Sequence, residues 1–573
     1  MKRPDRSTPN RPSKPLAVAA VLVLLAGSAA AQLNVTIETV ALSSESAPGT
    51  AASFQLFDAA FVNDLGEVAF HSRLTPTNQE SVWLWNEVGG LDLQSLESFL
   101  DIDDKSLRVS NLGVAHGKNL TVNEIWGPDS AGDPQLLSSD GGSAPGGGTF
   151  DLSSVDEEEL LLSNFGLALF TSIDDGSNLE AVFRQSSFAL QEVYREGDLA
   201  PGAGTDTFVA FNVGVMNDSG ELSFDAYVNL TGGRGLFGPS ASGTTLLLRT
   251  GDAVPGVAGA QFRGFGTESS SQGINNAGQV AFNGNMIVGP GGVTGLDDRG
   301  IWGPAAGTGF SLVARSGSAA AEAGAATWAG FDSLVLNANA AIAFEGSLTG
   351  AGIDSNNGTG LWAALQGGAL QLVARAGNAA PGIPGSFLAG ASEFNFALNA
   401  HDQMAFAAEL DTGGAAIWLY DLASDTVELV LGPGESVEVG TGDDRTVVAA
   451  SFGDAQDLEA HTGGEDGKKS VFNDAGQMAA LLEFTDGSVG VFRITVDNGL
   501  CEAADGEDLA LSDDTVTGTE VYEVCGTLTV GTNFEVAGPS GDLTLRAGGQ
   551  VVLDDGFSVG LDGELTVDND ASL

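Results

Sequence analysis

Basic side chains, histidine, tyrosine and cysteine are all scarce in this chain. Lys and Arg number 22 against 76 Asp and Glu, a formal net charge of −54 at pH 7. No stretch offers the basic groove that phosphate backbones require, so nucleic acid is not an expected partner. Four histidines and two cysteines leave little for nucleophilic or metal chemistry. No His-Glu-x-x-His pattern, phosphate-binding glycine loop or Gly-x-Ser-x-Gly elbow occurs. No catalytic residue or cofactor site is assigned on these grounds.

Long apolar runs are also missing after the first 31 residues. Within them, Lys2, Arg3, Arg6, Arg11 and Lys14 form a basic region, Leu16 to Ala26 is apolar, and Ala29-Ala30-Ala31 precedes Gln32. This is the pattern of a secretory signal peptide with a small-residue cleavage site. Its loss would leave 17 basic against 75 acidic side chains, a net of about −58. The expectation is a secreted, periplasmic or cell-surface protein that is not an integral membrane protein after cleavage.

What the sequence has instead is a repeated phrase, complete at Asn275-Asn276-Ala277-Gly278-Gln279-Val280-Ala281-Phe282. Copies begin at Asn63, Ser110, Ser163, Asn217, Asn275, Asn337, Asn399 and Asn473, spaced by 47 to 74 residues. The first four residues read as a turn, with Asn63 or Asn275 capping backbone amides and Gly66 or Gly278 taking a positive φ. Ala340 and Asp402 stand where the glycine is expected. The residues that follow alternate, placing Phe70, Phe170, Phe224, Phe282, Phe344 and Phe406 on strands. A second strand is centred on Trp83, Trp126, Phe183, Phe237, Trp302, Trp362, Trp418 and Phe492. A third, such as Leu370 to Arg375, runs into turns closed by Pro-Gly, as at Pro201-Gly202 and Pro255-Gly256. A fourth returns with paired aromatics, Phe54 and Phe57, Phe208 and Phe211, Trp328 and Phe331.

Four short strands repeated about eight times, with almost no helical pattern, predict an all-β fold: a β-propeller over residues 32–497. An open β-solenoid or a string of small sandwiches satisfies the same periodicity. The ends favour closure, because Val35 to Leu42 supplies the strand that the last unit lacks after Val496. Residues 498–573 differ in texture and are expected to form a small β-solenoid-like module.

Candidate binding groups are few. Paired acids at Asp101 to Asp104, Asp174-Asp175 with Asn178, Asp443-Asp444 and Asp554-Asp555 are candidate calcium loops, although none has the spaced pattern of a dedicated loop. His71 and His401 occupy repeat positions that hold other residues elsewhere, which marks packing or surface roles. Arg195 to Asp198 and Arg249 to Asp252 recur at one repeat position, which argues for a structural ion pair or turn contact over an adhesive motif. The last unit carries an expanded acidic region between Leu431 and Ser470, including Asp454, Asp457, Glu459, His461, Glu465 and Asp466; it reads as drift in a tolerant position.

The phrase Asn-x-x-Gly-x-x-Ala-Phe, intact at Asn63 to Phe70 and Asn275 to Phe282, resembles the tandem repeat of exported bacterial "choice-of-anchor NxxGxxAF" proteins. That resemblance spans roughly residues 35–496 and implies no activity. The segment Val516 to Cys525, with Leu543 to Gly549 and Gly556 to Gly560, resembles the "three-coathanger stack" module of exported bacterial proteins. Cys501 and Cys525, the only cysteines, are expected to pair in an oxidising exterior and to contribute about 3 kcal/mol. The functional expectation is an exported, non-enzymatic scaffold or binding protein with an unknown protein or glycan ligand. Alternatives are a carbohydrate-active enzyme using carboxylates on a propeller face, and a calcium-dependent adhesin.

Overall fold

The computed structural model describes residues 33–497, apart from 98–101, 120–122, 153–159, 175–178, 187–188, 230–232, 242, 267–270, 308, 389–393 and 454–465, together with the backbone of strands between 509 and 568. Residues 33–497 form an eight-bladed β-propeller. Blade 1 shows the plan: Ser53–Val62 lies innermost, followed outward by Val68–Thr75, Glu80–Asn86 and Gly90–Glu97, each antiparallel to its neighbour. Blades 2 to 7 repeat this order over 102–139, 149–195, 208–249, 262–315, 327–375 and 395–431. In blade 8 the inner three strands are Asp443–Ser451, Gln477–Phe484 and Val489–Asp497, and the outermost is Asn34–Leu42 from the chain's beginning. Its register, Asn34 opposite Asp497 through Leu42 opposite Gly490, closes the ring as the split repeat predicts.

The repeated aromatics hold each blade together. Phe70 stacks nearly parallel on Trp83, and the same pairing joins Phe224 to Phe237, Phe282 to Trp302, Phe344 to Trp362 and Phe406 to Trp418, with interplanar angles of 15–19°. Fourth-strand rings meet them edge-on, as Phe54 does Trp83 at 5.3 Å and Trp328 does Trp362 at 6.0 Å. Each such contact contributes about 1 kcal/mol beyond its buried area.

Two blades depart from the expected register. Ser163 pairs directly with Gly166 in a two-residue hairpin, one residue tighter than the asparagine turns, so Leu169 rather than Phe170 lies opposite Phe183. A one-residue slip reverses the face. Phe170 therefore points into blade 4, where its ring lies 6.2 Å from Phe224. Blade 2 has the same short turn, Ser110 to Gly113, which sets His116 opposite Trp126. Trp126 is only half-buried and donates to Glu124 Oε2 at 2.9 Å.

Beyond residue 508, strands stack in parallel threes. Thr519–Val524, Asp542–Ala547 and Glu564–Asp568 form one such stack, with Leu509–Leu511, Thr527–Val530 and Gln550–Leu553 forming another. A third joins Thr515–Val516, Glu535–Val536 and Ser558–Val559, giving three rungs of a parallel solenoid. Cys501 and Cys525 lie outside the described residues.

Candidate functional site: the propeller axis and its open face

The eight repeat turns, six of them begun by asparagine, sit where the inner strands end and so gather round the axis. Within its own turn Asn63 Oδ1 accepts from the amides of Leu65 and Glu67, at 3.1 and 2.8 Å. Its Nδ2 donates both to Glu67 Oε2 and, at 3.1 Å, to the Ser110 carbonyl of the next blade. Asn217, Asn275 and Asn337 each reach the following turn in the same way, at 2.8–3.0 Å. Asn473 closes the circle on the Asn63 carbonyl. Ser163 substitutes its hydroxyl, 3.1 Å from the Asn217 carbonyl. The two remaining junctions are bridged by Asn111 N to Asn164 Oδ1 and Ala400 N to Asp474 Oδ1. The acid or amide after the glycine, Glu67, Glu221, Gln279, Gln403 and Gln477, holds the asparagine amide in place. That position repeats in the sequence and was the available signal for a side-chain partner. Gly66 and Gly278 have φ of 74° and 71°, and Ala340 and Asp402 adopt the same left-handed conformation at 60°.

Second residues of several turns meet across the axial rim. Asn164 Nδ2 donates to Asp64 Oδ2 at 3.0 Å across two blades, and Asp218 Oδ2 accepts from Asn276 Nδ2 at 3.2 Å. Enclosure by the rim pushes the Asp64 carboxyl up to about 6; the Asn164 bond opposes this, and the charges of Asp474 and Asp218 add to it. Asp218 and Asp474 are raised for the same leading reason. Among the described residues, no three His, Cys, Asp or Glu side chains are gathered closely enough to hold a metal ion.

Immediately inside this ring the chain fills its own axis. The described end of the acidic insertion, residues 466–470, is bonded to inner strands of four other blades. Asp466 and Gly467 carbonyls accept from Met216 N and Leu162 N, at 2.9 and 2.8 Å, and the Ser470 carbonyl accepts from Val62 N. Lys468 is 6% exposed; its ammonium donates to the Gln272 carbonyl at 2.6 Å and lies 3.3 Å from Asp466. Lys469 Nζ sits 5.9 Å from the centre of the Phe61 ring. Far from drifting, this part of the insertion is a buried, hydrogen-bonded plug.

On the opposite face a groove of about 550 Å³ opens between blades 7, 8 and 1. Leu56, Leu388 and Ala408 contribute apolar surface, Asp58, Glu409 and Glu483 carboxylates, and Asn395 an amide. Among the described residues no Lys or Arg lines it. Asp58 is held by His71 Nδ1 at 3.1 Å. Phe57, the lining aromatic, is turned into its blade, 5.5 Å from Phe54 and 5.7 Å from Phe70.

Other candidates from the sequence have structural partners. Asp443 pairs with Arg445 at 2.8 Å. Asp198 and Asp252 each accept from the backbone amide of the arginine three residues earlier, at 2.9 Å, which makes the Arg-x-Gly-Asp segments turns. His401 donates its backbone amide to Asn399. His461, Asp175 and the acidic pair at 554–555 lie outside the described residues, as do the side chains at 174 and 101–104.

These features define a β-propeller plugged at one end of its axis and grooved at the other. The chain belongs to the family of unknown function DUF7453, whose model matches residues 27–234 and 117–496. Among curated protein sequences none matches it. Solved structures similar to it include the Dos1 propeller, at 11% identity over 80% of this chain and 94% of that one, TM-score 0.34. Another comes from a study of two prolyl endopeptidases, at 11% identity and TM-score 0.37; 81% of this chain aligns with 57% of that one. The β-propeller domain of the Trilobed protease from Pyrococcus furiosus matches at 8% identity over 66% of this chain and 98% of that domain, TM-score 0.33. Such distant likenesses speak to fold alone.

Proposed function

We propose that this protein is an exported, non-enzymatic repeat scaffold whose open face binds a ligand of the cell envelope or extracellular space. The observation that carries the reading is the plug: residues 466–470 are bonded to the inner strands of four other blades, and the groove on the opposite face offers a concave surface for contact. Export is supported by the basic, apolar and small-residue succession of residues 1–31. Among the described residues no helix is long and apolar enough to cross a membrane.

Three groove carboxylates favour a second reading, glycan hydrolysis. It is the weaker one, because the groove's aromatic, Phe57, faces the blade interior and offers no ring for a sugar to stack on.

Fractionation of expressing cells, followed by capture from the fraction that holds the protein, tests the first reading. Wild type should retain a ligand that Leu388→Asp and Ala408→Arg variants of equal stability release. Confinement to the cytosol, or equal capture by all three, would sink it. Release of reducing sugar that disappears in Glu409→Gln or Glu483→Gln would establish the second.

A further inference from the structure

Asn34–Leu42 has a single sheet neighbour, Val489–Asp497, drawn from the far end of the propeller sequence. Its two halves are unlike. Val40, Ala41 and Leu42 are buried, whereas residues 34–39 are exposed or half-buried. A bulge between Thr39 and Ala41 separates the halves, and a bulge leaves the ladder locally disrupted.

Beyond its backbone pairing, the outer half is gripped by a guanidinium. Arg493 lies opposite Glu38 and is 6% exposed. Its Nε donates to Glu38 Oε2 at 2.6 Å, its Nη2 to Glu87 Oε2 and its Nη1 to the Gly66 carbonyl, both at 3.1 Å. The guanidinium carbon also lies 4.9 Å from the centre of the Trp85 ring. Gly66, Trp85 and Glu87 belong to blade 1, so one side chain ties the closing strand to the blades on either side. Arg184 holds the same place in blade 3, directly after Phe183, and donates to the Gly220 carbonyl of blade 4. The bond to the next turn is thus a property of the repeat, whereas the grip on Glu38 belongs to the closure.

The outer half has a second task. Gln477 opposite Thr495 is the last pair that the inner neighbour makes, so Val496 and Asp497 take their sheet pairing from Val35 and Asn34 alone. From that point the chain runs on toward the stacked-strand module. From this arrangement we infer that residues 34–39 are a strap, latched by Arg493, which peels from blade 8 as far as the bulge and sets how firmly the joint between propeller and C-terminal module is held. Opening separates the pairs from Asn34–Asp497 to Thr39–Phe492 together with the Glu38 ion pair. Val40 to Leu42 stay in the core, so the ring remains closed and Leu42 keeps its place against Gly490 in the groove wall. The device does not depend on what the groove binds.

Hydrogen exchange of the full chain, read by mass spectrometry on peptides that divide residues 34–39 from 43–62, provides the test. In the wild type, residues 34–39 and 494–497 should exchange faster than 43–62, because a locally opening segment exchanges without global unfolding. Arg493→Met keeps an unbranched stem and loses the charge; it should accelerate 34–39 and 494–497 together by about tenfold or more and leave blades 3 to 6 unchanged. Arg493→Lys, charged but without the planar fork, should fall between the two. Glu38→Gln removes only the strap's carboxylate and leaves Arg493 its partners in blade 1, so it should reproduce most of the acceleration and decides the matter if the methionine variant does not fold. Acceleration spread evenly over all blades would make Arg493 a general stabiliser and overturn the inference. Wild-type exchange at 34–39 as slow as at 43–62, or exchange there unmoved by Glu38→Gln, would overturn it as well.

Discussion

Asn473 Nδ2 donates a 2.8 Å hydrogen bond to the carbonyl of Asn63, a residue 410 positions earlier. The same amide nitrogen bonds Gln477 Oε1, while Asn473 Oδ1 accepts the Gln477 backbone amide. Only a side chain with both a donor and an acceptor can serve its own turn and the neighbouring blade together. This bond closes the inner ring, as the pairing of Asn34–Leu42 with Val489–Asp497 closes the outer edge.

Substitutions at Asn473 should rank by what they leave unpaired. Asn473→Ser, for which Ser163 is the internal precedent, is expected to cost about 1 kcal/mol, and Asn473→Ala about 2. Asn473→Asp should be the worst, since it sets a carboxylate against the Asn63 carbonyl. Denaturant unfolding measures the order; an aspartate variant as stable as the serine one would refute the bridging role.

The axial mouth carries a pH signature. An unfolded aspartate titrates near 4, whereas Asp64 in the folded protein titrates at about 6. The folded state thus holds the proton more tightly, so this group's contribution to stability is complete below about pH 4 and is lost as pH rises through 6. Asp64→Asn should raise the thermal midpoint at pH 7.5 and leave it unchanged near pH 4. Equal effects at both values would contradict the assignment.

Lys468 is the plug cation that pairs with Asp466. Lys468→Ala removes the ammonium beside the buried Asp466 carboxylate and the donor to the Gln272 carbonyl, at an expected cost of about 3 kcal/mol. Adding Asp466→Ala should recover part of that loss. Hydrogen exchange at Leu162, Met216 and Val62, whose amides donate to the plug, should accelerate in the single variant more than at blade exteriors.

A comparable pair lies in blade 4, where fully buried Asp225 accepts from Arg234 Nε at 2.7 Å. Burial raises the Asp225 carboxyl to about 6 even against the attraction of Arg234. Arg234→Met should destabilise by about 3 kcal/mol at pH 7.5 and by less at pH 5, where the carboxylate takes up a proton. A penalty independent of pH would show that Arg234 acts through packing alone.

The sequence by itself determined the blades. A period of 47 to 74 residues with aromatics such as Phe282 and Trp302 at matched positions specifies stacked four-stranded sheets, because alternation along a strand fixes which side chains share a face. The unpaired strand at Asn34–Leu42 likewise announced the closure, since an edge needs a partner. Phe170 escaped that logic: it rests on one residue of turn length after Ser163, which only backbone pairing reveals.

Tertiary structure alone decided the axis and the groove. Residues 466–470, Asp-Gly-Lys-Lys-Ser, carry no strand periodicity, and their place depends on three backbone donors and one carbonyl acceptor in four other blades. Asp58, Asn395, Glu409 and Glu483 come from three blades and more than 400 residues of chain. Their meeting is set by ring closure, a long-range geometry that no periodicity along the chain encodes.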